Sequence, residues 1–469
     1  MPTRTLRRLS TLLPVVLIAM ATGTARAQSA PPVSAVAPPD IVLIVSDDQG
    51  WADFPSQGAT DLSLPNLEKL AAAGVRFNQG YVTAPQCIPS RAGLLTGRYQ
   101  QRSGLEANPD EKDLGNFELS PTDPTIAEVL RSAGYRTGIV GKWHLGEPVR
   151  TQPFNRGFEW CAYFRRGLGY YYPHTSELRD LFRDASDRAI PWEGYLTDVL
   201  TAKAVEFLGQ TSDRPSFLYL AYHTPHWPME VPKEIEAEFA SIKDPHRRAY
   251  AAMMKSMDSG IGAVLDAVDR RGRPTLVLFV SDNGGPCYSS RGKAKLAMGE
   301  NAASNAPLLG CKGTLYEGGI RVGMAMRWSG RLPAGAVVNW PASTLDFFPT
   351  ICAAAGAKVP ETVEGIDLLP LITAVNEARE PSRQLYWRFN TSFSRSAAVR
   401  EGRWKLVRPS PGKQELFDIE RDPGEKTNQI DAEPEVARRM NTQLDNWLTT
   451  LPRPRWIERL LGDEPQPTP

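Results

Sequence analysis

The stretch IVLIVSDDQG, residues 41–50, sets five apolar residues directly against a polar run that begins Ser46, Asp47, Asp48. A near copy, TLVLFVSDNGG, occupies 275–285 and turns polar at Ser281, Asp282 and Asn283. Two further runs share the design. RTGIVG (136–141) leads into Lys142, Trp143 and His144, and SFLYLAY (216–222) leads into His223, Thr224, Pro225 and His226. Short continuous apolar runs bounded by turn residues predict strands buried on both faces of a parallel sheet.

Helical patterns lie between them: SLPNLEKLAAAGV (63–75), TIAEVLRSAGY (125–135), YLTDVLTAKAVEFLGQ (195–210) and RRAYAAMMKSMDSGIGAVLDAVDRRG (247–272), the last stopping at Gly272. Strands alternating with helices predict an α/β fold with helices on both sheet faces. Sites in such sheets gather outside the carboxyl ends of the strands. All four polar clusters should therefore share one rim.

On that rim Asp47, Asp48, Asp282 and Asn283 would bring three carboxylates and an amide together, all hard oxygen donors. Unpaired, the carboxylates would repel one another, so a divalent cation is the expected partner, Ca²⁺ or Mg²⁺ rather than zinc or copper. The competing reading is that each pair only caps the turn that follows its strand. Cationic candidates accompany them: Arg91, Lys142, His144, His226 and Lys312. Singly, Lys142 reads as a solvated lysine and His226 as a turn histidine. Three of the five histidines, however, directly follow predicted strands. A metal ringed by fixed cations suits a tetrahedral oxyanion, phosphate or sulfate.

The composition, 469 residues with 41% hydrophobic and 23% charged, fits one sizeable core plus a smaller domain. A net charge of +1 points to no nucleic acid and no anionic membrane surface. Arg4, Arg7 and Arg8, an apolar run from Leu12 to Ala21, and Ala25-Arg26-Ala27 read as a secretory signal over 1–27, followed by a flexible leader over 28–39. The chain is therefore expected to be exported, periplasmic or secreted, with no membrane span. Export favours cysteine pairing, and five cysteines leave at least one over. Cys287 with Cys311 is one possible bridge. Cys87, followed by Pro89 and Arg91, could be a packed residue, a metal ligand, half of a disulfide, a thiolate nucleophile or a site rewritten after synthesis. Asn390-Thr391-Ser392 fits a glycosylation sequon. Tyr170, Tyr171, Tyr172, His174, Trp192 and Trp227 could form an aromatic platform for a sugar or aryl ring, or serve packing.

The segment CIPSRAGLLTGRY (87–99) resembles the signature of type I sulfatases, in the alkaline phosphatase superfamily. The likeness runs in order through VSDDQG, LPNLEKLAAAGVRF, AGYRTGIVGKWHLG, NRGFEW, YLAYHTPHWP, VSDNGG, CKGTLYEGGIRV, STLDFFPTICAAAG and ELFDIERDPGEKTN. It implies an alkaline-phosphatase-like α/β catalytic domain over 40–372 with a mostly parallel sheet between helices. It also implies a smaller C-terminal α+β domain over 373–469, with antiparallel strands around QLYWRF, SAAVREG, RWKLVRP and QELFDI and a closing helix from Glu433 to Leu448. The implied activity is hydrolysis of aryl or carbohydrate sulfate, with Cys87 converted to formylglycine by a maturation enzyme. By the same resemblance Asp47, Asp48, Asp282, Asn283 and the modified Cys87 are Ca²⁺ ligands, with Mg²⁺ second in preference. Arg91 supports residue 87, Lys142 and Lys312 hold sulfate oxygens, and His144 and His226 transfer protons. Pro89 suits the first turn of a helix that would set residue 87 near a helix N-terminus. Cys311 stands where a small or polar residue is expected, residues 288–307 are less familiar, and His223 has no assigned role. Two alternatives are a phosphomonoester or phosphodiester hydrolase on the same scaffold and a non-catalytic secreted oxyanion- or glycan-binding protein.

Overall fold

A computed structural model describes Met1 and residues 37–109, 117–166, 170–173, 182–287, 301–373, 381–391 and 395–455. The expected signal segment beyond Met1, most of the leader, His174 and Ser392 of the sequon lie outside the described residues. No described helix is long and apolar enough to cross a membrane.

The large sheet is built from β1 (Asp40–Ser46), β2 (Val75–Tyr81), β3 (Arg136–Lys142), β4 (Trp160–Phe164), β5 (Ser216–Ala221), β6 (Thr275–Ser281), β7 (Arg321–Trp328), β8 (Ala336–Val338) and β9 (Ala342–Ser343). Its order is β4-β3-β5-β1-β6-β7-β2-β8, with β9 also beside β2. The four strands anticipated from the apolar runs are contiguous and parallel, β3-β5-β1-β6, so their polar ends emerge side by side. β7 runs antiparallel to β6 and β2 antiparallel to β7.

Alternation along each central strand explains why these runs are apolar throughout. Ile41, Leu43 and Val45 face one core, while Val42 and Ile44 face the other. On the first side they meet the helices Cys87–Thr96, Ile126–Ser132 and Phe347–Ala355 through Ile88, Leu130 and Ile351. On the second they meet Pro65–Ala72, Leu196–Gly209 and Pro245–Arg270 through Leu67, Leu200 and Met257. The starts of two helices are fixed locally: Thr125 and Glu128 form a capping box, and Asp244 accepts from His246 N and Arg247 N.

A second sheet, β10 (Gln384–Asn390), β11 (Arg395–Glu401), β12 (Trp404–Arg408) and β13 (Glu415–Asp418), is antiparallel throughout and matches the four runs expected near the C-terminus. Val399, Leu406 and Leu416 on one face pack on Met440 and Leu444 of the closing helix, Pro434–Thr449. The other face, including Trp387 and Phe417, joins the first core of the large sheet. The Trp387 indole donates to Val82 O at 2.8 Å.

The sequence reading contains no strand at β2, β4, β7, β8 or β9. β2 breaks register between Phe77 and Gly80, and β7 mixes Gly323 with two methionines, so neither carries the β-branched run that marks the central strands.

Trp387 is buried at the seam between the two sheets. Trp387→Ala should cost about 3 to 5 kcal/mol, read as a lowered urea midpoint, because it combines lost burial with an orphaned Val82 carbonyl. An unchanged midpoint would contradict the packing described.

Candidate active site

The rim is assembled by backbone register before any side chain contributes. Ser46 pairs with Ser281, and the ladder continues past the strands: Asp282 N donates to Ser46 O at 3.0 Å and Asp47 N to Thr224 O at 3.1 Å. Asp48 sits at φ 67°, and its N–H donates to Asp282 Oδ1 at 3.2 Å. Gly284 permits the tight crossing, since a Cβ there would lie 1.9 Å from Gly318 O.

Helix Cys87–Thr96 enters with Cys87 as its first residue and is buried over its whole length. Arg91, one turn in, donates from Nε to Asp282 Oδ2 at 2.9 Å, and its Nη2 lies 2.8 Å from the same oxygen. From the end of β3, Lys142 Nζ reaches Asp47 Oδ2 at 2.5 Å. From the loop after β6, Lys312 Nζ donates to Asp48 Oδ2 at 2.7 Å. His226 Nε2 lies 3.6 Å from Asp48 Oδ2, and its Nδ1 is 2.6 Å from Trp227 O, to which it donates. Cys87 Sγ donates to Asp47 Oδ1 at 3.5 Å.

Every residue singled out from the sequence as a ligand therefore meets the others here. Ligand atoms of Asp47, Asp48, Asp282 and Cys87 all lie within 4.8 Å of one another. Lys142 is fully buried, which corrects its reading as a solvated lysine. The charge argument also needs correction: the three carboxylates are not unpaired, because Arg91, Lys142 and Lys312 each face one. The case for a metal rests instead on the donor set. Asn283 Nδ2 donates to Asp48 Oδ1 at 2.7 Å, while Asn283 Oδ1 is buried with no hydrogen-bond partner among the described residues. A buried orphan acceptor beside three carboxylates fits a hard, oxygen-seeking cation.

Burial opposes charge on Asp47, yet Lys142, His226, His223 and Arg91 hold its carboxyl well below the usual range. Burial pushes the Cys87 thiol up to about 12, so this side chain is no ready thiolate. Burial, reinforced by Asp47, raises Asp282 to about 6. Burial also lowers both histidines, His226 to about 3 and His144 well below its ordinary value, with Lys142 adding to the shift in each. His144 takes a left-handed backbone (φ 59°) just past β3, and its Nδ1 is buried without a partner among the described residues.

Lys312 and His226 are partly open, at 16% and 18% side-chain exposure, and His144 is only partly buried as well, which puts the entrance on their side. The loop that carries Lys312 is pinned by the Cys287–Cys311 disulfide, which accounts for a cysteine at 311, and by Lys312 N donating to Gly285 O at 3.0 Å.

Several residues went unassigned or unnoticed in the sequence. His223 Nδ1 lies 3.4 Å from Asp47 Oδ2, and its ring packs against His226 at 4.9 Å. Its position directly after β5 was the available signal. Tyr171, for which the sequence leaves platform and packing both open, is buried, and its hydroxyl donates to His226 O at 2.8 Å and His223 O at 3.0 Å, so it packs and holds the histidine turn. Tyr219 OH accepts from Arg91 Nη1 at 3.4 Å. Asn301 Nδ2 bridges Asp48 O at 3.1 Å and Pro225 O at 2.9 Å, tying the two rims of the site, and no local pattern marks it.

The sulfatase family model matches residues 39–357, and the N-sulphoglucosamine sulphohydrolase C-terminal family matches 311–451. Arylsulfatase A of Bos taurus is 32% identical over 460 residues, covering 86% of this chain and 86% of that protein. N-acetylgalactosamine-6-sulfatase of Mus musculus is 31% identical over 393 residues, 78% of this chain and 71% of that one. The solved structure of Ps i-CgsB in complex with k-i-k-neocarrahexaose aligns with a TM-score of 0.81 at 32% identity, covering 89% of this chain and 94% of that chain. With these relatives matched along most of its length and the same fold beneath them, the chain belongs to the sulfatase family of the alkaline phosphatase superfamily and is an enzyme that hydrolyses sulfate esters.

Proposed function

We propose that this sulfatase is exported, is matured by conversion of Cys87 to formylglycine, and uses a calcium site to hydrolyse carbohydrate sulfate monoesters. The observation that carries the reading is the meeting of Cys87 Sγ with Asp47, Asp48 and Asp282 at the start of a buried helix, beside Lys142, Lys312 and His226. An unmodified buried thiol there is a poor nucleophile, and a sulfated serine or cysteine would be a stable end point. An aldehyde hydrate at residue 87 offers two hydroxyls, one to take the sulfuryl group and one to release it. The Cys287–Cys311 bridge supports an oxidising compartment, as the N-terminal signal pattern does. Carbohydrate is preferred over aryl sulfate because the solved structure at 32% identity holds neocarrahexaose and one relative at 31% is an N-acetylgalactosamine-6-sulfatase, although another at 32% is named an arylsulfatase. The catalytic part is taken as 40–372 and the C-terminal part as 373–469.

Asp47, Asp48, Asp282, Asn283 and the matured residue 87 would hold Ca²⁺. When bound, the ion supplies Lewis-acid stabilisation of an ionised oxygen and of the sulfate charge. The remaining work belongs to this chain's side chains. Arg91 fixes Asp282 and the helix that presents residue 87, while Lys142 and Lys312 orient the sulfate oxygens and offset developing charge. His226, with Nδ1–H held by Trp227 O, turns a proton-free Nε2 toward the entrance, so the Lys312 ammonium beside it gives the proton to the leaving alcohol and Nε2 passes one from solvent back to the amine. His144, kept neutral by burial and nearby cations, accepts the proton whose loss releases sulfate.

Cys87→Ser should lower steady-state turnover of a sulfate ester by at least about three orders of magnitude while a single-turnover event survives. Normal multiple turnover would sink the aldehyde route. Wild-type enzyme should prefer sulfate over phosphate esters of one leaving group, and faster phosphate hydrolysis would favour a phosphatase instead.

Ca²⁺ should stabilise chelator-treated protein, by about 2.7 kcal/mol at a hundredfold excess over its Kd, read as a rise in thermal midpoint. Asp48→Asn should remove most of that rise. An equal response to Mg²⁺, or none to Ca²⁺, would contradict the calcium assignment.

A further inference from the structure

Outside the catalytic rim, a groove of about 570 Å³ opens where the small sheet meets the closing helix. It lies between the β10 and β11 ends, the Ser410–Gln414 hairpin and the helix residues Asp445 and Leu448, and shares no residue with the catalytic cluster. Among the described residues four cations line it, Arg388, Arg395, Arg408 and Lys413, against one carboxylate, that of Asp445. Such crowding does not follow from a chain whose net charge is only +1.

The four cations are not equivalent. Arg388 is committed to Glu106 and to Pro452 O at 2.6 Å, and Arg408 to Asp445 at 2.6 Å and Asn441 at 2.9 Å. These two are held in place by protein. Arg395 and Lys413 are exposed and make no ion pair among the described residues. The wall between them bears hydroxyl and amide groups, Ser396, Ser410 and Gln414, and its lining has no aromatic ring among the described residues. Fixed guanidiniums beside unpaired cations suit dispersed single-charge oxyanions. Hydroxyl and amide groups suit sugar hydroxyls.

The groove is also connected to the catalytic helix. Arg388 holds Glu106, and two residues on, Asn108 Oδ1 accepts from Ile88 N at 3.1 Å while Asn108 N donates to Gln86 Oε1 at 2.8 Å. The groove and the helix that begins at Cys87 are thus joined through one short loop.

We propose that this groove is a second binding site, for a sulfated stretch of a glycan chain remote from the ester being cleaved. It would anchor a polymeric substrate through Arg395 and Lys413 by sulfate contacts additional to those at the catalytic rim. The proposal rests on the carbohydrate-sulfate reading above and deepens it.

The test uses the full-length protein with Arg395→Glu and Lys413→Glu, two exposed positions away from the catalytic residues. Binding is measured to carrageenan and to heparin, with dextran as the uncharged control and a single-stranded oligonucleotide as the rival polyanion. The Cys87→Ser background keeps the glycan intact, and hydrolysis of a small aryl sulfate is followed separately in the otherwise wild-type enzyme. The double variant should bind a sulfated glycan roughly tenfold more weakly, with a reduced salt dependence, and keep its aryl sulfatase rate. Lys413→Arg with Arg395→Lys should restore binding. Unchanged glycan binding, or equally tight oligonucleotide binding lost in the same variant, would overturn the proposal, as would a parallel loss of aryl sulfatase rate and glycan affinity that the charge-conserving variant fails to restore. Absence of sulfate release by the wild type from both the aryl sulfate and the sulfated glycans would instead count against the catalytic reading, which the binding measurements do not use.

Discussion

Six charged groups share one buried volume in this protein, and the rest of the site depends on how they are paired. Asp47, Asp48 and Asp282 are essentially sealed from solvent, where an isolated carboxylate would cost several kcal/mol. Lys142, Lys312 and Arg91 each stand within hydrogen-bond distance of one of them. The pairing dictates position. Arg91 must lie one turn inside the helix, so Cys87 comes to its first residue and faces the carboxylates. Lys142 must leave β3 directly, so His144 follows on the same rim. Lys312 must arrive from a loop, and the disulfide together with the bond to Gly285 O gives that loop a fixed course.

The strands supply the other half of the constraint. Parallel register between β1 and β6 sets Ser46 beside Ser281, and two similar sequences then deliver their acidic residues to one crevice. A one-residue slip would turn the side chains of β1 to the opposite core and separate the pairs. The apolar alternation of Ile41, Leu43 and Val45 against Val42 and Ile44 therefore holds the chemistry in register as well as the core.

How much of this is legible in the sequence follows from range. The four strand ends are readable because each joins a buried run to a polar cluster within ten residues, whereas the small antiparallel sheet is readable through the family resemblance, which places its four runs near the C-terminus. Cys87 is singled out by the residues that follow it, whose likeness to a family signature supplies most of its meaning. Lys142 is different: alone it looks solvated, and only Asp47, 95 residues away, explains its burial. His223 and Asn301 have partners still more remote in sequence; only its place directly after β5 marks His223, and nothing local marks Asn301. The antiparallel strand β7 is hidden by its glycine and methionines, although it is buried from end to end. Cys311, a departure from the expected pattern, makes sense once Cys287 is seen across the bridge.

The central claim is that Cys87 is a precursor whose sulfur is removed. Mass analysis of the peptide containing residue 87, from protein produced together with a formylglycine-generating enzyme and purified in active form, tests it most directly. The account predicts an aldehyde at that position, captured by a hydrazide reagent, in a fraction that tracks specific activity. An active preparation in which residue 87 is wholly an intact, alkylatable thiol would contradict it.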